Sequence, residues 1–138
     1  MGLIEKISSN SLGCSSILHK DEWGVVKINY SEDYNLYNSK HLYVNQNCGL
    51  AITLLKGRAI LVTENLDSAS CSISTVTMAT GSSYYINENL GYTIIMNYGC
   101  ELFSVESPEE QPLKVEKRMF TKIEIDFLNK AVNKEFNK

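Results

Sequence analysis

The chain has 138 residues, 43% of them hydrophobic and 21% charged, with a net charge of −3; this suits one domain with a real core and argues against wholesale disorder. No apolar run approaches the ~20 residues needed to span a bilayer, and the first ten residues lack the apolar centre of a secretory signal, so no membrane and a cytoplasmic location are expected. Residues 1–113 carry six basic and twelve acidic side chains, net −6, whereas residues 114–138 carry seven and four, net +3; nucleic acid is a poor partner for so acidic a body.

Strand signals dominate up to about residue 107. Residues 23–30 alternate and are rich in β-formers, and Ser31-Glu32-Asp33 reads as a turn. Residues 40–44 form a short strand with Leu42 and Val44 on one face, ended by Asn45-Gln46-Asn47-Cys48-Gly49. Residues 50–55 are an apolar run, Lys56-Gly57-Arg58 is a tight turn, and residues 59–62 resume a strand. After a polar turn over 64–70, residues 71–78 alternate, with Cys71, Ile73, Thr75 and Thr77 on one face. Residues 83–86, 92–96 and 100–105 complete the series, with turns at Asn87-Glu88-Asn89 and Tyr98-Gly99. About eight short strands at roughly ten-residue spacing predict an all-β sandwich or barrel. No βαβ alternation or Gly-rich phosphate loop appears, which disfavours nucleotide-binding α/β folds.

Pro108 and Pro112 mark the end of the β region. Beyond them Ile123, Phe127, Leu128, Ala131, Val132 and Phe136 recur at helical spacing, and Thr121 with Glu124 makes a capping-box pattern. The apolar stripe of this helix is expected to pack on its own domain. The organisation is therefore an N-terminal segment (1–20), a β domain (21–110) and a C-terminal helical extension (111–138), one domain overall. The four cysteines, Cys14, Cys48, Cys71 and Cys100, form no C-x-x-C pair and are expected to be reduced and partly buried. Ser8-Ser9 and Ser15-Ser16 read as loop residues.

The order of these signals resembles a cupin, specifically the cupin domain of mannose-1-phosphate guanylyltransferases and mannose-6-phosphate isomerases. The matching pieces are Trp23-Gly24, His41-Leu42-Tyr43-Val44, Leu54-Leu55-Lys56-Gly57-Arg58-Ala59, Gly81, Tyr85-Ile86, Gly91-Tyr92, and the last strand with Glu106-Ser107-Pro108. They cover about 85 residues. The resemblance implies a jelly-roll β-sandwich or barrel carrying a C-terminal α-helix, and a homodimer, with residues 25–30 as the candidate pairing edge. It also implies a role in carbohydrate metabolism.

A metal-binding cupin needs a His-x-His pair, a nearby Glu and a later His. Here Asn45-Gln46-Asn47-Cys48 stands at the first motif and Tyr92 at the last His. Only His19 and His41 exist in the whole chain. No metal and no cofactor are expected. The expected activity is binding of a small polar ligand, a sugar, sugar phosphate or sugar nucleotide, or service as an assembly domain.

Tyr43, Asn45, Asn47, Tyr85 and Tyr92 are the candidate ligand-binding residues, because tyrosine combines an apolar ring with one polar tip and asparagine can bond hydroxyls. Asn45, Asn47, Asn87 and Asn89 read more simply as turn residues. A second expectation is a cofactor-free epimerase or ketoisomerase with His41 as base and Tyr92 as acid, although His41, alternating with Leu42 and Val44, reads more simply as a surface residue. A third is a structural or regulatory protein that holds a partner with its C-terminal helix. Glu101 and Glu106, five apart, do not share a strand face, so a paired-carboxylate hydrolase is not indicated.

Overall fold

Short alternating segments separated by Gly and Asn turns bury their apolar residues most simply by sharing one interior between two sheets. The computed structural model describes residues 3–45, 48–66, 72–106 and 115–137. It contains strands β1 (Gly13–His19), β2 (Gly24–Asn29), β3 (His41–Val44), β4 (Leu50–Lys56), β5 (Ala59–Glu64), β6 (Ile73–Thr77), β7 (Ser83–Ile86), β8 (Tyr92–Met96), β9 (Glu101–Glu106) and β10 (Val115–Met119). A 3-10 turn spans Glu32–Tyr34, and helix α1 spans Lys122–Phe136.

One sheet runs β1-β2-β9-β4-β7 and the other β10-β3-β8-β5-β6. All the strand pairings are antiparallel. From β2 onward the chain crosses between the sheets at every connection except β5–β6, the winding of a jelly-roll sandwich. The turns form where the sequence requires them. Gly57 and Gly99, in the two tight turns, have φ of 87° and 81°, a region a side chain would strain.

The inward faces of the two sheets carry a core that includes Ile28, Leu54, Leu61, Ile94, Met96 and Leu102. On the opposite face of the β3/β8/β5 sheet, Leu42, Ile60, Val62, Ile73 and Ile95 form a second core with Phe120, Leu128 and Val132. Helix α1 is the lid of that second core. Its N-terminus has the full capping box: the Glu124 amide donates to Thr121 Oγ1 at 3.2 Å, and the Thr121 amide donates to Glu124 Oε1 at 2.8 Å. Glu124 is also fixed by Arg118, whose Nη1 and Nη2 donate to its two carboxylate oxygens at 2.6 and 2.7 Å, and by the Ser72 hydroxyl.

Several expectations need correction. Residues 25–30 are not a free edge, because β2 lies between β1 and β9. The edge on that side of the sheet is β1, which contains Ser15 and Ser16, so these two are strand rather than loop residues. It escaped notice because serine is a weak strand former, and here pairing with β2 overrides propensity. The β region also continues past Pro112 to Met119, where β10 extends the second sheet beside β3. The helical stripe is narrower than its sequence suggests. Leu128 and Val132 are buried, whereas Ile123 and Phe127 are 68% and 40% exposed.

Candidate functional site

The inner face of the sandwich changes character along its length, and the register shows where. Cys14, Ile28, Leu102 and Leu54 lie in one row. Two residues along β9 stands Ser104, opposite Val26, and two further stands Glu106, opposite Gly24. Because Cβ direction alternates, Ser104 and Glu106 share the inward face of Leu102. On the other sheet Tyr92 precedes the inward Ile94 and Met96, and is paired with Tyr43. Tyr43 is in turn paired with Glu116 of β10. His41, two residues before Tyr43, faces the same way. One end of the interior is therefore aliphatic, and the other carries hydroxyl, phenol, amide, imidazole and carboxylate groups.

Tyr92 is the centre of this polar end and is 2% exposed. Burial raises its phenol above the ordinary range, the nearby Glu106 carboxylate raises it further, and a hydrogen bond with the Asn45 side chain opposes them. Glu106 is held from below by Ser104, whose Oγ donates to Oε2 at 3.0 Å. Tyr34, from the 3-10 turn, closes the β1 side with its hydroxyl 2.8 Å from Cys14 Sγ. Burial is also the main cause of the raised Tyr34 phenol, with Cys14 adding to it. Both phenols thus keep their protons at neutral pH and can donate hydrogen bonds. At the rim, His41 Nε2 is 3.6 Å from Glu116 Oε1, and its ring centroid is 6.1 Å from that of Tyr43.

The structure thus brings His41, Tyr43, Asn45 and Tyr92 together. His41 faces the interior rather than the outer surface. Tyr85 does not join them: it pairs with Ala51 on the outward face, is 68% exposed, and lies over Gly49, where any side chain would collide with its hydroxyl. The alternation that turns Ile86 inward turns Tyr85 out. Asn47 lies outside the described residues. Asn89 is a turn residue, with φ of 65°, and its amide donates to the Asn45 carbonyl at 3.0 Å.

Sequence alone does not point to Tyr34, Ser104 or Glu116, and it offers Cys14 and Glu106 no role in a site. The one available signal was parity: Glu106 falls on the same face as Leu102, while Glu101 faces outward to Lys27 at 2.7 Å.

These residues do not fit a bound divalent ion. Among the described residues no three His, Cys, Asp or Glu side chains converge closely enough to hold one, and the buried centre of the site is a phenol and an amide, poor ligands for such a cation.

No protein-family model matches this chain, and no curated protein does. Solved structures do. The chain is similar to an RmlC-like cupin family protein with a double-stranded β-helix fold from Methanocaldococcus jannaschii (16% identity, TM-score 0.53, 79% of this chain and 95% of that one). It is similar to KdgF from Halomonas sp. (7% identity, TM-score 0.52, 76% and 89%). A cupin-2 domain containing protein from Shewanella frigidimarina also matches (9% identity, TM-score 0.52, 72% and 84%). The chain spans only 42% and 51% of two FeII HppE chains that it also matches. At these identities the likeness is one of fold: the chain is a cupin-like jelly roll. None of these three structures is described as a mannose-6-phosphate isomerase or a mannose-1-phosphate guanylyltransferase.

Proposed function

We propose that this cupin-like module binds a small polar ligand of the sugar class, free or phosphorylated, at the polar end of its interior. The observation that carries the reading is the buried Tyr92–Asn45 pair beside Glu106, set among hydroxyl and phenol groups where the rest of the interior is aliphatic. Burying polar groups inside a sandwich costs stability unless they are hydrogen-bonded, and a few convergent polar groups in an otherwise apolar interior are the usual makeup of a ligand site. Thermal-shift titration with hexoses and their phosphates tests this. Tyr92→Phe and Asn45→Ala are expected to weaken binding about tenfold each, the worth of a buried hydrogen bond, while Tyr85→Ala leaves it unchanged. Equal affinity in all three variants would sink the assignment.

A second reading is favoured by one specific observation, the inward His41 beside Glu116. An imidazole within reach of a carboxylate, on the same sheet face as a protonated phenol of the neighbouring strand, suits proton abstraction next to a carbonyl. His41 would take the carbon-bound proton while Tyr92 donates its own to the developing enolate oxygen. Deuterium uptake from solvent by a keto-sugar nucleotide, lost in His41→Asn, is the expected result; no uptake by the wild-type protein removes the enzyme reading.

Helix α1 packs on its own sheet, which argues against a dedicated partner-holding role for it. The homodimer we propose pairs instead through β1. It is the longest edge strand, and none of its residues is lysine, arginine, aspartate or glutamate, the usual guards of an open edge. Light scattering of the wild type and of Ser15→Pro tests it, with the variant expected to be monomeric.

A further inference from the structure

We propose that the interior site selects a neutral polyhydroxylated ligand and rejects its phosphorylated form; this rests on the proposed ligand site and narrows it. The argument is one of charge and direction. Among the paired positions of the described strands, none on the inward face carries lysine or arginine, and Lys117, unpaired at the β10 bulge, spends its ammonium on Glu64. On this face the polar end carries two carboxylates, Glu106 and, at the solvent-exposed rim, Glu116, whose side chain is 56% accessible. The cations of the neighbouring strands are turned outward and engaged there. Lys27 donates to Glu101 at 2.7 Å, Lys117 to Glu64 at 2.5 Å, and Arg118 to Glu124. The positive charge of the C-terminal segment therefore does not reach the interior through these groups. Among the described strand residues, the basic side chains on this face are the imidazoles of His41 and His19, the latter opposite Gly24 in the row of Glu106.

A phosphate monoester is close to a dianion at neutral pH and is normally held by guanidinium, ammonium or a nest of backbone amides. The polar end offers it carboxylates instead, and like charges set against one another in a partly buried site are strongly selective. The same groups suit a hydroxyl. Protonated phenols and the Asn45 amide donate, carboxylates accept, and each hydroxyl of a polyol can do both at once.

The test is a titration followed by two-dimensional NMR, using glucose, galactose and mannose and the 6-phosphate of each as probes. At least one neutral hexose is expected to shift the Tyr92 and Asn45 signals, with its 6-phosphate binding tenfold or more weakly at the same place. Glu106→Gln is expected to narrow that gap. Glu116→Gln, at a more exposed position, is the second variant should the first not fold, and is expected to narrow it too. Six-phosphates that bind as tightly as the hexoses, with the same signals moving, overturn the charge inference and leave the ligand site standing. No shift at Tyr92 or Asn45 with any probe overturns both.

Discussion

At the residue scale, two buried polar groups do opposite things. Tyr92 sits at the polar end of the interior, where we propose a ligand binds. Tyr92→Phe is expected to cost no more than about 1 kcal/mol of stability, the net value of one hydrogen bond, as read by urea unfolding. Glu124 is instead a fastening for helix α1. Its carboxyl is held down to about 2, first by the Arg118 hydrogen bonds and further by Ser72 and the Thr121 amide, against the cost of burial. Its folded pKa lies below the ordinary 4.5, so its contribution is fully present above that value and is lost as pH falls toward 2. That contribution is of order 3 kcal/mol. Unfolding measured from pH 6 to pH 2 is expected to show the loss in the wild type, and a flatter profile in Glu124→Gln. Cys100 is inert by comparison: burial, with Glu101 adding, pushes its thiol up to about 12, so alkylation at neutral pH is expected to spare it.

The elements divide into those that read plainly and those that do not. Strands β2 to β9 follow from alternation and from turns whose residues have a mechanical reason, such as Gly57 and Gly99. Helix α1 follows from its capping box. Strand β1 did not, because its Cys-Ser-Ser run has no strand preference of its own until β2 supplies a ladder. Strand β10, Val-Glu-Lys-Arg-Met, is polar on both faces, because as an edge strand it needs little burial. Leu128 and Val132 hold α1 on the sheet, while Ile123 and Phe127 contribute little. Leu128→Ala is expected to cost about 3 kcal/mol and Ile123→Ser less than about 0.5 kcal/mol, measured by denaturant unfolding. Equal losses at the two sites would mean that the helix docks by another face.

For the whole molecule, the question is how one sandwich has two kinds of interior. The aliphatic end holds the sheets together, and the polar end is the one proposed to take a ligand. Since the buried centre of the polar end is a phenol and an amide rather than imidazoles, elemental analysis is expected to find substoichiometric transition metal. EDTA is expected to leave the melting temperature unchanged. One tightly held metal per chain, with a fall in melting temperature on chelation, would require ligands other than those described here.

Local pattern determined much of this protein. The spacing of apolar residues, the turn chemistry and the capping box are short-range properties, and they pointed to an all-β sandwich or barrel with a C-terminal helix; the two separate sheets decide for the sandwich. They also settled that Glu101 and Glu106 point to opposite sides, because side-chain direction along a strand is a matter of parity. Tertiary structure alone decided which groups meet. Tyr34, Cys14, Tyr92 and Glu106 come from four separate segments, and their convergence depends on strand order. It also decided that His41 looks inward. Strand β3 is buried on its Leu42 and Val44 face and only partly covered on the other, and alternation within a strand cannot say which face meets the sandwich interior.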